Sequence, residues 1–246
     1  MKSFFHAFVM CQSMFCAIPF PCRIWDEEAR DKLLWCLPLV GLEIGLIWWL
    51  VYLVCDYFAL SALLQGAILC AAPLLLTGSI HLDGYMDVTD AVRSCRDLER
   101  RREILKDSHV GSFAVIGCVL LMVFQFASCA GASGWMDARM LILIPVISRC
   151  CSALAVAVLP KMSTSQYVQK KAGTGDILIP VSCLVACLVA AVCIWVGYGW
   201  VVLFQLAVYA LALRKGYKNL GGMNGDISGY ALTLSELGAL VAMAIA

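Results

Sequence analysis

The sequence predicts an all-α fold: a polytopic integral membrane helix bundle of about six or seven transmembrane helices with cytoplasmic active-site loops. Three observations carry that expectation. Of the 246 residues, 62% are hydrophobic and 14% charged, with mean hydropathy +0.87; a soluble globular chain has about 45–50% apolar and roughly 25% charged residues. The apolar residues come in long blocks and not at amphipathic spacing. The basic residues are confined to alternate loops. Such a composition excludes a disordered chain and a conventional soluble enzyme, and a net charge of +1 favours no nucleic-acid partner.

Lys2 and the apolar run after it imitate a leader peptide, but His6 and Gln12 interrupt the run, no small-residue cleavage site follows, and Pro19 and Pro21 break it. Residues 1–36 are therefore expected to be an interfacial or re-entrant segment within a single integral membrane domain, 1–246. Apolar blocks follow at 37–54, 58–78, 111–131, 140–160, 178–196, 199–213 and 230–246. A span needs about 17–25 residues, so the short 199–213 block leaves six or seven. Sixteen of the 18 Lys and Arg residues lie before the first block or in the 79–110, 161–177 and 214–229 loops; Arg139 alone occupies the alternate loops, and Arg149 lies inside a block. By the positive-inside rule the N-terminus and the three basic loops face the cytoplasm. The fourteen cysteines contain no C-x-x-C pair and lie mostly in apolar runs, where free cysteine behaves as a small hydrophobe.

The most informative stretch runs from His81 to Ser112. Asp83, Asp87 and Asp90 are spaced i, i+4, i+7, which on a helix places three carboxylates on one stripe. Without interleaved bases such a stripe is either a solvated face or a seat for a hard divalent cation such as Mg²⁺, which binds through one or two carboxylates plus substrate phosphates. The charge-poor surroundings favour the cation. Gly84 between the acids costs about 1 kcal/mol in a helix, which is explained if a ligand or another helix approaches there. His81 points away from Asp83 and is expected to be interfacial. Ser94–Asp97 reads as a turn and cap before a basic helix running through Lys106, suited to phosphate recognition or to anchoring on anionic lipid. Gly221, Gly222, Gly225 and Gly229 fall within nine residues; they fit a backbone N–H nest for an anion and a tight turn about equally, with Asp226 available to a metal or a hydroxyl. Glu43, Arg149 and Glu236 are ionisable groups within spans, and Arg149 has two possible acidic partners.

These residues also carry a resemblance that covers nearly the whole chain. The sequence resembles the cobalamin 5′-phosphate synthase family, the adenosylcobinamide-GDP ribazoletransferases. It has Pro-x-Pro at Pro19–Pro21, the Pro38–Gly41 start of the first span, H-L-D-G-x-x-D-x-x-D from His81 to Asp90, K-D-S-x-x-G-S at Lys106–Ser112, Arg149, and G-G-x-x-G-D-x-x-G from Gly221 to Gly229. The resemblance implies a Mg²⁺-dependent phosphotransferase of the bacterial cytoplasmic (inner) membrane. Such an enzyme joins adenosylcobinamide-GDP to α-ribazole or its 5′-phosphate and releases GMP. It assigns Asp83, Asp87 and Asp90 to the metal, and Asp90, Asp107 and Asp226 to catalysis. Lys106, His109, Arg149, Gly222 and Gly225 are assigned to substrate phosphates. Ala91 and Ala114 stand where the family favours glycine, Asn224 and His109 where it favours threonine and arginine, and Thr233 replaces a frequent acid.

Two rivals define the contrast. A CDP-alcohol phosphotransferase uses a similar acid cluster, but its D-x-x-D-G-x-x-A-R and G-x-x-x-D-x-x-x-D spacing is missing here. A transporter places ionisable groups near the midplane between internal repeats, whereas these acids sit at a cytoplasmic surface and no repeat is visible.

Overall fold

The computed structural model describes residues 2–22, 24–131, 137–162, 172–193 and 197–245. Arg23, Lys170 and Lys171, counted above among the cytoplasmic charges, lie outside them. The described chain forms ten α-helices: α1 (Lys2–Phe15), α2 (Leu33–Tyr57), α3 (Ala62–Leu76), α4 (Ile80–Arg93), α5 (Leu98–Ile104), α6 (Ser112–Gly131), α7 (Met140–Val158), α8 (Thr174–Cys193), α9 (Gly199–Leu220) and α10 (Gly225–Ala244). Among these residues the sole β-pairing is an isolated parallel bridge between Lys161 and Met223. The protein is an all-helical integral membrane bundle.

Five helices are long and apolar enough to cross a membrane: α2 with the 3₁₀ turn before it, α6, α7, α8 and α10; α3 and α4 together make a sixth candidate, bent by 91°. Two expected blocks behave differently from simple spans. The 58–78 block yields a helix of 15 residues, about 22 Å at 1.5 Å per residue and short of the ~30 Å of hydrocarbon. It ends at Gly78 and Ser79, both with positive φ (60° and 61°), where the backbone N–H of Ala17 donates to Leu76 O at 2.7 Å. That break turns α4, amphipathic and outside the five spans, away from α3. The 199–213 block extends to Leu220, but its last turns carry Arg214, Lys215 and Lys218, and α9 is not among the five.

The central contact is between α2 and α7. A Cβ on Gly41 would stand 2.7 Å from Pro145 O, and one on Gly45 would collide with the backbone of Ile142. Small residues four apart let two membrane helices meet backbone to backbone. One core gathers Trp48, Tyr85, Val88, Ile144, Ile147 and Ile227; a second joins Ala7, Met10 and Cys11 of α1 to Val40 and Ile44 of α2. Polar side chains tie helices together inside the apolar bundle. Trp48 Nε1 donates to Leu69 O (2.9 Å), Gln125 Nε2 to Cys70 O (3.0 Å) and Gln205 Nε2 to Ile144 O (2.9 Å). All fourteen cysteines are free thiols.

Candidate active site

The acid stripe is built by α4. Asp83, Asp87 and Asp90 share one helix and line one small cleft, closed on its other side by His109, Gly111 and Ala114 of the following segment. The Asp90 carboxylate packs so tightly on Gly111 that any side chain there would collide with it. A fourth carboxylate arrives from α10. A Cβ on Gly84 would stand 2.9 Å from Asp226 Cα, so the glycine predicted to admit a ligand or a helix admits the start of α10. Asn224 caps that helix, accepting from Ile227 N at 2.9 Å, and its amide donates to Asp226 Oδ2 at 2.6 Å. The asparagine that replaces the family's usual threonine therefore both starts α10 and orients its acid.

The four carboxylates feel one another. Burial first, then the charges of Asp83, Asp226 and Asp90, push the Asp87 carboxyl up to about 6. None of the ion pairs among the described residues involves any of these four acids. Such a donor set of hard oxygens lacking a counter-charge fits Mg²⁺. Among the described residues no three carboxylate, imidazole or thiol groups stand close enough together to hold a metal ion by themselves; a cation here would draw its remaining ligands from substrate phosphates, as Mg²⁺ does.

A second, larger cavity of about 1120 Å³ lies between the starts of α2, α4 and α10 and the C-terminal half of α7. Lys106, Gly225 and Asp226 line it, and Arg149 lines its buried end. Arg149, 1% exposed, pairs with Glu236, and its Nη1 also donates to Ser148 Oγ at 3.0 Å. The choice left open by the sequence thus falls on Glu236; Glu43 instead accepts from Gln12 Nε2 at 2.8 Å. Asp226 is the one acid of the cluster that also lines this cavity.

Other predicted residues sit elsewhere. Asp107 lines neither cavity. Its Oδ1 accepts from the backbone N–H of His109 at 3.0 Å and meets His109 Nδ1 at 2.7 Å, and these bonds hold its carboxyl below the usual range. His109 touches the acid cleft while its side chain is 91% exposed. Gly222 lines neither cavity; it packs on Met162, where Met162 N donates to Met223 O (3.0 Å) and Met223 N to Pro160 O (2.9 Å). The tight-turn reading of the glycine loop describes that half, and Gly225 and Gly229 line the cavity.

Asp97 caps α5 as the sequence predicted, accepting from Arg100 N at 2.9 Å, but the helix stops at Ile104, before Lys106. Its arginines are engaged by protein. Arg100 pairs with Glu103, Arg101 donates to Asn219 Oδ1 (2.7 Å), and Arg102 donates to Leu220 O (2.9 Å) and Gly221 O (3.0 Å). The latter two cap the C-terminus of α9, where carbonyls lack helical partners. His81, expected at the interface, is partly buried: its Nε2 is enclosed with no hydrogen-bond partner among the described residues, and the residue lines the large cavity. Only its place before the acid stripe could have signalled this.

The family model described as cobalamin-5-phosphate synthase matches residues 7–244. The chain belongs to that family. Among the curated relatives, the adenosylcobinamide-GDP ribazoletransferase of Clostridium perfringens strain SM101 is 36% identical over 100% of both chains. That of Clostridium botulinum strain Alaska E43 is 33% identical over 96% of both. The Brevibacillus brevis protein of the same name is 31% identical over 96% of this chain and 95% of its own. No solved structure matches. Seen as a cobalamin-5-phosphate synthase family member, the protein gathers the acids of its H-L-D-G-x-x-D-x-x-D and G-D motifs into one cluster through the α4–α10 crossing.

Proposed function

We propose that the protein is an adenosylcobinamide-GDP ribazoletransferase, joining adenosylcobinamide-GDP to α-ribazole or its 5′-phosphate with release of GMP at the end of cobalamin biosynthesis. One observation supports the reading most. Asp226 lines the large cavity and, where α10 crosses α4 at Gly84, lies near enough to the acid stripe for its charge to act on Asp87, so a nucleophile in the cavity and a diphosphate at the acids would meet beside it.

Asp83, Asp87 and Asp90 would hold Mg²⁺, which when bound neutralises charge on the diphosphate and on the departing phosphate. Asp226, oriented by Asn224, takes the proton of a ribazole ribose hydroxyl as its oxygen attacks the phosphoryl group on the cobinamide arm. A new P–O bond forms, the anhydride P–O bond breaks, and GMP carries away the electron pair. Lys106, Arg149 and the Gly225 end of α10 supply positive charge and N–H donors to phosphate oxygens. His109 at the cleft edge is a further phosphate contact, charge-assisted only while protonated. Asp107, turned to His109, is assigned to positioning that residue. The partition of basic residues supports insertion in the bacterial cytoplasmic membrane with the N-terminus and this site facing the cytoplasm.

The test is a product assay. Purified protein, Mg²⁺, adenosylcobinamide-GDP and α-ribazole should yield cobalamin and GMP in equal amounts. Transfer from CDP-diacylglycerol instead, or no transfer, contradicts the reading.

A further inference from the structure

The buried end of the large cavity holds two polar atoms that the protein itself leaves unsatisfied. His81 Nε2 and Arg149 Nε are both fully buried and neither has a hydrogen-bond partner among the described residues. Leaving a buried polar group unmade costs about 1–3 kcal/mol, so two beside one cavity mark a place where a ligand completes the bonding. Both side chains are held in place. Arg149 is fixed through Nη1 by Glu236 and Ser148. The His81 ring stacks on Phe15, centroids 6.1 Å apart and planes within 11°. Its backbone carbonyl accepts from Thr233 Oγ1 at 3.1 Å, so the residue standing where the family often has an acid braces His81.

Phe15, Leu34, Leu37, Val156 and Leu232 give the same cavity apolar wall, while Glu27, Arg30, Asp31, Lys161 and Asp176 give it charged wall. An enclosure with apolar faces and a few convergent polar groups accepts a flat, weakly polar ligand with hydrogen-bonding atoms on its edge. A guanidinium Nε–H only donates, while an imidazole nitrogen donates or accepts. We propose that His81 is a substrate-binding residue, whose Nε2 meets the edge of a heteroaromatic base carried by one of the two substrates. Building on the transferase reading above, that chemistry has two sources: the guanine of the GDP moiety and the base of α-ribazole. Each offers at least one ring nitrogen to His81 Nε2.

The test measures equilibrium binding of α-ribazole and, separately, of GMP to the purified full-length protein in nanodiscs, for wild type, His81→Phe and His81→Gln. Phenylalanine keeps the stack on Phe15 and removes the nitrogens; glutamine returns a polar group near the Nε2 position. His81→Phe should weaken binding of one ligand about 10-fold, and His81→Gln should recover most of it, with Tm unchanged in both. Loss with α-ribazole places its base in the cavity; loss with GMP places guanine there. Unchanged affinities for both ligands overturn the proposal, as does a wild type that binds neither. A loss shared fully by His81→Gln with a lowered Tm marks a packing role and also overturns it. Because binding is read without turnover, a protein that binds the base through His81 yet makes no cobalamin contradicts the transferase reading and leaves this one standing.

Discussion

Gly84 of α4 lies against Asp226 at the first turn of α10, close enough that a β-carbon would stand 2.9 Å from Asp226 Cα and 3.0 Å from its carbonyl oxygen. The contact sets the spacing between the α4 acids and the only one of them reached from the large cavity. Gly84→Ala must therefore push the two helices apart. Overpacking of this kind costs about 1–3 kcal/mol, and the displaced Asp226 should lower turnover far more than the loss of stability alone. Thermal unfolding and turnover measured on the same preparation check both effects.

Asp83→Asn, Asp87→Asn and Asp90→Asn each remove a charge and keep the side-chain size. Each should reduce turnover by about 100-fold or more in protein that still inserts and folds, with the remaining activity demanding more Mg²⁺. Near-native rates in all three would make the stripe a solvated face.

The raised Asp87 carboxyl also makes stability depend on pH. Its folded-state value, about 6, lies above the ordinary aspartate value of 3.8, so the folded protein binds more protons than the unfolded one between them. The associated stability is present below the lower value and is lost as pH rises through about 6. In chelator, Tm should fall over that range; Asp87→Asn should flatten the fall, and Mg²⁺ should oppose it by pairing with the carboxylates.

Glu236→Gln leaves Arg149 as a charge that is 1% exposed with no acid beside it. Breaking one partner of a buried pair costs about 3–5 kcal/mol. The double replacement Arg149→Met with Glu236→Gln should recover much of the Tm while remaining inactive, separating the packing role of the pair from the phosphate role of Arg149.

Two exposed native thiols report orientation. Cys95 sits in the turn between α4 and α5, and Cys193 ends α8. With the basic loops in the cytoplasm, an impermeant thiol reagent applied to intact cells should label Cys193 and spare Cys95, and inside-out vesicles should reverse the pattern. Cys95→Ser and Cys193→Ser identify each signal. Labelling of Cys95 from outside inverts the topology.

What could be read from the chain followed short-range rules. The i, i+4, i+7 acids fell on one helix because that period is intrinsic to the α-helix, and Asp97 capped α5 because its carboxylate reaches N–H groups three residues on. Longer-range relationships were hidden. The 58–78 block looked continuous because the turn at Gly78 and Ser79 depends on a hydrogen bond from Ala17. His81 looked interfacial because its burial depends on Phe15 and Thr233, far away in the sequence. The arginines of α5 could not be assigned to phosphate or to lipid, because nothing local marks the α9 carbonyls that Arg101 and Arg102 reach.

The junction role of Asp226 is tested most directly by steady-state transfer with Asp226→Asn at saturating Mg²⁺. The variant should lose about 100-fold or more in kcat while its KM for adenosylcobinamide-GDP stays within about threefold of wild type, since the diphosphate is held by the α4 acids. A kcat near wild type would show that the nucleophile does not give its proton to Asp226 and would contradict the arrangement proposed for this site.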